Sequence, residues 1–235
     1  MSTPDILLYQ YEISPYADKV RRALHYKGVP YRVREVLPSQ GPKLTRISPT
    51  GKFPAIEHAG RIIVDSTDII RYVDETFDDP PLFPADPRAR AMAHIIEDWA
   101  DESLYFYDLT MRGWPHNVGW LLDDVLRYEK AHWSWLFRRL FPRVVAKITR
   151  TQGIGRKSHD QVCTEARRHF EAADALAQGG GWLVGEGLSV ADIAVASMCF
   201  VLARAQEAKA AMDSLPALTA WRQRVDAATL SEQAA

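Results

Sequence analysis

Cysteine is nearly absent: Cys163 and Cys199 are the only two in 235 residues, and they lie in the second half of the chain, apart from each other. No disulfide framework follows, and no set of cysteines and histidines is read from them as a zinc site, so no metal is expected. Charge of one sign is lacking too. Lys and Arg total 29 against 30 Asp and Glu, a net charge of −1, so nucleic acid is not an expected partner. The longest nearly unbroken apolar run, residues 193–203, is about half of the ~20 residues a membrane span requires, and it reads as a buried core helix. Residues 1–5 lack the basic start of a secretory signal, which makes the cytoplasm the expected compartment. Neither a phosphate-binding G-x-x-x-x-G-K-[ST] loop nor a dinucleotide G-x-G-x-x-G loop occurs.

What is present is an ordinary soluble composition, 47% apolar, 25% charged and 10% aromatic. Its pattern changes near residues 78–87, where prolines at 80, 81, 84 and 87 stop helices and favour an extended linker. Before that point, residues 6–9 read as a strand and 15–26 as a helix with Ala17, Val20, Ala23 and Leu24 on one face. Residues 31–37 follow as a strand, 54–57 and 61–64 as a hairpin turning at Gly60, and 66–77 as a helix. The order β-α-β then β-β-α demands a small mixed sheet, because the crossover pairs strands in parallel and the hairpin pairs them antiparallel. A thioredoxin-like domain over 1–79, a linker over 80–87 and an all-helical domain over 88–235 are expected. The helices of the latter are read at 88–112, 120–148, 159–177, 190–204 and 214–227. Ser189 to Asp192 reads as a capping box ahead of the apolar central helix.

Three chain junctions carry candidate chemistry. Ser14-Pro15-Tyr16-Ala17 joins the first strand to the first helix, where thioredoxin-type proteins hold C-x-x-C, so thiol exchange is excluded and a hydroxyl at a helix N-terminus remains. From these four residues alone Ser14 reads first as a plain N-cap, and the two roles are compatible. Gly51 to Ile56 sets Pro54 at a strand start, with either a trans or a cis Phe53-Pro54 bond open to it. Asp65 and Ser66 stand where a strand meets a helix, as caps or as a receptor for an amino-acid head group.

In this order, with L-S-V-A-D-I-A-V-A at 188–196, these motifs resemble the cytosolic glutathione S-transferase superfamily, over nearly the whole chain. The S-P opening at Ser14 is similar to its serine-type classes. The resemblance implies glutathione as co-substrate, conjugated to a small electrophile, with Ser14 as the activating hydroxyl. Aligning the first helix puts Gln10, not Tyr9 or Tyr11, where other classes carry a tyrosine. It further implies a cis Phe53-Pro54 bond pairing with the cysteinyl backbone, Asp65 and Ser66 on the γ-glutamyl end, Lys43 or Lys52 on the glycyl carboxylate, and Tyr16 nearby. Tyr16, Tyr105, Phe106 and Trp114 are candidates for the electrophile pocket, although aromatics at this spacing also suit a core. A homodimer is implied as well.

Residues 130–159 hold eight Lys or Arg and no acid, together with Trp133, Trp135, Phe137 and Phe141. They read as a solvated helix face with aromatics packed inward, or as a helix resting on an anionic membrane surface. Gly153-Ile154-Gly155-Arg156 resembles a loop of metaxin-related branches of the superfamily. That points to an alternative, a catalytically inactive binding or peripheral-membrane protein on the same scaffold.

Overall fold

The computed structural model describes residues 5–230, with the backbone alone at 41–43. Strands β1 (Ile6–Gln10), β2 (Tyr31–Glu35), β3 (Ala55–His58) and β4 (Arg61–Val64) form one sheet in the order β2-β1-β3-β4. The β1–β2 pair is parallel and the other two are antiparallel, as a crossover helix followed by a hairpin requires. Helix α1 (Pro15–Tyr26) makes that crossover, and α2 (Ser66–Thr76) follows β4. The fold is thus a thioredoxin-like four-stranded mixed sheet joined to a helical part.

Helix α1 is buried far beyond its apolar stripe. It packs against α2 and against two helices of the second half, α8 (Val190–Leu202) and α10 (Pro216–Thr229). Asp18, Lys19 and Arg22 are consequently buried, and burial of charge is tolerable only with partners. Arg22 pairs with Asp18 at 2.6 Å and reaches Asp226 of α10 at 2.7 Å. The sheet's other face carries a smaller core of Tyr9, Val36, Leu44, Phe53 and Ala55.

Residues 77–86 contain no helix or strand, yet they are anchored. Leu82 is fully buried, and its carbonyl accepts from the Val190 amide at 2.8 Å, at the start of α8. Beyond them, α3 (Pro87–Trp99), a π turn at Ala100–Leu104 and α4 (Tyr105–Arg112) form the helical stretch expected over 88–112. Helix α7 (His159–Ala177) also matches its expected span. Apolar α8 is buried along nearly its whole length. Its Asp192 accepts from the Ser189 amide and hydroxyl, the Leu183 amide and the Trp221 indole, so this buried carboxylate organises the centre of the helical part.

Three expectations are corrected. The single helix read over 120–148 is two, α5 (Val118–Val125) and α6 (Ala131–Gln152). The break between them is held from afar: Arg127 and Tyr128 both donate to Glu12, at 3.0 and 3.1 Å, and Glu129 accepts from the Ser39 amide at 2.8 Å. A short helix, α9 (Gln206–Asp213), stands where none was read, with Ala208 and Met212 turned inward. The tryptophans of α6 are a third correction, whereas Phe141 packs inward against Leu109, Leu121 and Val145. Trp135 is 68% exposed and Trp133 38%, and the helix buries only Val145 and Thr149. Gly153 to Arg156 has a packing explanation, since a Cβ on Gly155 would sit 2.5 Å from the Thr149 hydroxyl and 2.8 Å from the Arg150 amide nitrogen. No helix among the described residues is long and apolar enough to cross a membrane.

Candidate functional site

The sheet register brings the three junctions to one end of the sheet. Tyr9 lies opposite Ala55, and Ala55 opposite Val64. The loop leaving β1, the residues entering β3 and those leaving β4 therefore stand side by side. Strands are spaced by ~4.8 Å, so this row spans on the order of 10 Å, about the length of an extended tripeptide.

Ser14 caps α1. Its backbone is extended, its amide donates to the Tyr11 carbonyl at 2.9 Å, and its Oγ accepts from the Ala17 amide at 3.4 Å. An accepting hydroxyl keeps its own proton to donate, and it sits at the positive end of a twelve-residue helix. The Phe53-Pro54 bond is cis, one of the two geometries open from the sequence. The Phe53 ring is buried, edge-on to Tyr11 at 6.0 Å. Lys52 is exposed beside it, while the Lys43 side chain lies outside the described residues. Asp65 has φ 75° and ψ 130°, a conformation that ordinary side chains rarely adopt. Its carboxylate caps α2 by accepting from the Thr67 amide at 2.9 Å, and Ser66 is buried next to it.

Behind this end lies an ionic cluster that the sequence did not reveal. Lys19, with no exposed surface, donates to Glu97 at 2.9 Å, to Asp101 at 2.6 Å and to the Thr67 hydroxyl at 3.3 Å. The Thr67 hydroxyl in turn donates to Glu97 at 2.9 Å. Thus α1, the start of α2, α3 and the π turn are tied at one point. Burial pushes the Asp101 carboxyl up to about 6, against the opposing pull of Lys19. Only the i,i+4 placement of Glu97 and Asp101 is visible locally.

Of the four aromatic candidates, three come together. The Tyr16 ring lies 5.2 Å from Tyr105, and Tyr105 lies 5.3 Å from Phe106. The Tyr16 hydroxyl is committed to the Asp101 carbonyl at 2.7 Å, and burial pushes its pKa well above the usual phenol range. Trp114 is placed apart. It lies beyond the end of α4, which runs about 10 Å from Tyr105 to Arg112, and its ring covers His159 at 4.3 Å. There His116, His159 and Glu207 converge, a set the sequence analysis missed because 43 and 48 positions separate its members. The i,i+4 spacing of His159 and Cys163 on α7 was the one local signal available, and it was not read as one.

Sheet topology, helical half and site together define a thioredoxin-like protein with an appended helical domain and no redox pair. Two family models match the chain: the glutathione S-transferase N-terminal domain over residues 8–81 and the glutathione S-transferase C-terminal domain over residues 137–228. The chain belongs to the cytosolic glutathione S-transferase superfamily. Among curated relatives, Glutathione S-transferase U1 of Arabidopsis thaliana is 36% identical over 93 residues, 39% of this chain and 42% of that protein. The match therefore spans less than half of that relative. Among solved structures, the β-etherase LigF from Sphingobium aligns with a TM-score of 0.69 and 21% identity over 95% of both chains. A Tau class glutathione S-transferase from mango, Mangifera indica, aligns with a TM-score of 0.66 and 21% identity, over 99% of this chain and 96% of that one. At such identities these likenesses establish the fold alone.

Proposed function

We propose that the protein is a glutathione S-transferase that joins the glutathione sulfur to a small, hydrophobic electrophile, with Ser14 stabilising the thiolate. The observation that carries this reading is the row formed by Ser14, the cis Phe53-Pro54 unit and Asp65-Ser66 along one sheet end. In it, Phe53 offers its backbone to the cysteinyl residue, and Ser66 with the amides starting α2 receives the γ-glutamyl carboxylate. Asp65 faces the ammonium. Lys52 or Lys43 meets the glycyl carboxylate, and Tyr16, Tyr105 and Phe106 border the electrophile. The chain acts as a cytoplasmic homodimer, with its domains meeting at residues 80–87.

A thiol of pKa ~8.5 is only about 3% ionised at pH 7, whereas one lowered to ~6.5 is roughly three-quarters ionised, about a 25-fold gain in nucleophile. That shift of ~2.7 kcal/mol is within the reach of one hydroxyl hydrogen bond to sulfur plus a helix N-terminus. The thiolate supplies the electron pair of the new C–S bond, and the electrophile releases its leaving group or, in an addition, takes up a proton. Ser14→Ala should lower turnover of an aryl halide by about 10- to 30-fold while the glutathione Kd changes less than about threefold. Wild-type turnover in that variant would remove Ser14 from this role.

The exposed tryptophans of α6 among basic residues favour a second reading, a peripheral contact with anionic lipid. Co-sedimentation with phosphatidylserine vesicles at low salt tests it, and protein left wholly in the supernatant rejects it.

A further inference from the structure

We propose that His116, His159 and Glu207 form a binding site for one divalent transition-metal ion, on the helical part and independent of the glutathione site. The three residues come from three segments: the turn between α4 and α5, the first residue of α7, and the first turn of α9. One ligand atom from each lies within 4.8 Å of the others. Glu207 Oε1 is 2.6 Å from His116 Nε2 and 3.3 Å from His159 Nε2. Ligand bonds of ~2.0–2.1 Å in a tetrahedron put neighbouring ligand atoms about 3.3 Å apart. The His159–Glu207 edge already has that length, and the His116–Glu207 edge needs to open by roughly 0.7 Å. Both imidazoles are about half exposed.

The outer contacts are those of an organised site rather than of a chance surface meeting. His159 Nδ1 lies 3.2 Å from the carboxylate of its exposed neighbour Asp160, which favours a proton on Nδ1 and leaves Nε2 for a metal. The second Glu207 oxygen accepts from the Asn117 amide group at 2.9 Å. Asn117 is fully buried and also donates to the Met111 carbonyl at 3.0 Å, so it holds Glu207 from a rigid position. The Trp114 ring, 4.3 Å from His159 and 5.9 Å from His116, limits how far either imidazole swings. Two imidazoles and a carboxylate with a position left open suit zinc and its neighbours rather than magnesium or calcium. The fourth position is taken by water. Glu207 also lines a hollow of about 360 Å³, together with Cys163, Arg167 and Phe170 among others. The Cys163 sulfur, 3.9–4.0 Å from the His159 ring nitrogens, lies outside the set.

The test is calorimetric titration of zinc chloride into the full, untagged chain at pH 7.5, with a non-chelating reductant and without glutathione. One ion per chain with a Kd in the micromolar range or tighter is expected. His116→Ala and His159→Ala should each weaken binding at least tenfold, Asp160→Asn about tenfold, and Cys163→Ser not at all. Cobalt(II) in place of zinc should give visible absorption that His159→Ala abolishes. A wild-type Kd above about 1 mM, an affinity untouched by both histidine substitutions, or loss of binding in Cys163→Ser each overturns the proposal. Thermal melts of each variant without metal show that the surface substitutions leave the fold intact. Since no readout involves conjugation, failure of the transferase reading leaves this test unaffected.

Discussion

Replacing Lys19 with Met removes the cation on which the contact between sheet and helices turns. Methionine has a similar length and is apolar, so the loss is electrostatic. Glu97 and Asp101 would remain buried beside one another with no counter-charge, and the Thr67 hydroxyl would lose a donor. Breaking a buried pair by removing one partner costs roughly 3–5 kcal/mol. For a chain of this size each kcal/mol lowers the Tm by about 2–4 °C, so a drop of roughly 6–20 °C is expected. The Asp101 carboxyl, already pushed up to about 6 by burial, is pulled down by Lys19; without the lysine it rises further. A carboxyl raised by folding is more stabilising when protonated, so the variant's deficit should shrink as pH falls from 7.5 to 5. Melting of wild type and Lys19→Met followed by circular dichroism at both pH values measures this. The triple variant Lys19→Met, Glu97→Gln, Asp101→Asn should recover most of the loss, since exchanging a whole buried ionic set for neutral groups is often neutral. A Lys19→Met protein within about 1 kcal/mol of wild type at pH 7.5 would refute the reasoning.

The same carboxyl sets a pH dependence in the unaltered protein. With a folded-state pKa of about 6 against ~3.9 unfolded, Asp101 contributes stability that is complete below about pH 4 and lost as pH rises through 6, on the order of 3 kcal/mol. Urea midpoints of Asp101→Asn should accordingly vary less between pH 4 and 7 than those of wild type; parallel curves contradict this. Asp65→Gly exchanges a strained carboxylate cap for a residue at ease at φ 75°. Relief of about 1–3 kcal/mol should exceed the few tenths lost with the cap, so the urea midpoint rises. Isothermal titration should show weaker glutathione binding in that variant; a stable protein with undiminished affinity would free Asp65 of its proposed role. Asp192→Ala strands four buried donors at the centre of the helical part and should cost about 3–5 kcal/mol, read as a lowered Tm or loss of soluble protein.

The three junctions of the proposed site were legible because each bears its chemistry locally. Ser14 before Pro15, Pro54 at a strand start, and Asp65-Ser66 between β4 and α2 are each a short-range backbone requirement that only a few residue types meet. The topology then followed from strand order and the hairpin turn. What stayed hidden depends on distant partners. Residues 126–130 have the composition to continue a helix, yet they turn, with Arg127 and Tyr128 bonded to Glu12 and Glu129 bonded to Ser39. Lys19, Glu97 and Asp101 look like ordinary helix-surface charges until α1 is enclosed by α2, α8 and α10 and Lys19 meets α3. Trp114 sat in an aromatic run that suggested a pocket, yet α4 ends before it and the chain turns toward α7.

These hidden contacts share one cause, which bears on function. Helix α1 carries Ser14 at its start and is wrapped by both halves of the molecule, so the charges along it must find partners in each. Lys19 finds Glu97 and Asp101 of the helical part and Thr67 at the head of α2, one residue from Ser66. Arg22 finds Asp18 on its own helix and Asp226 on α10. The two ends of the proposed glutathione cradle, Ser14 and Asp65-Ser66, are thereby referenced to the same buried ions. A shift of the helical part relative to the sheet would have to move both ends together or break these pairs. The spacing between the hydroxyl proposed to hold sulfur and the cap proposed to hold the γ-glutamyl group is therefore set by the contact between the two halves. Lys19→Met should consequently weaken glutathione binding even though Lys19 lies behind the cradle, whereas Arg167→Ala, at the far hollow, should not.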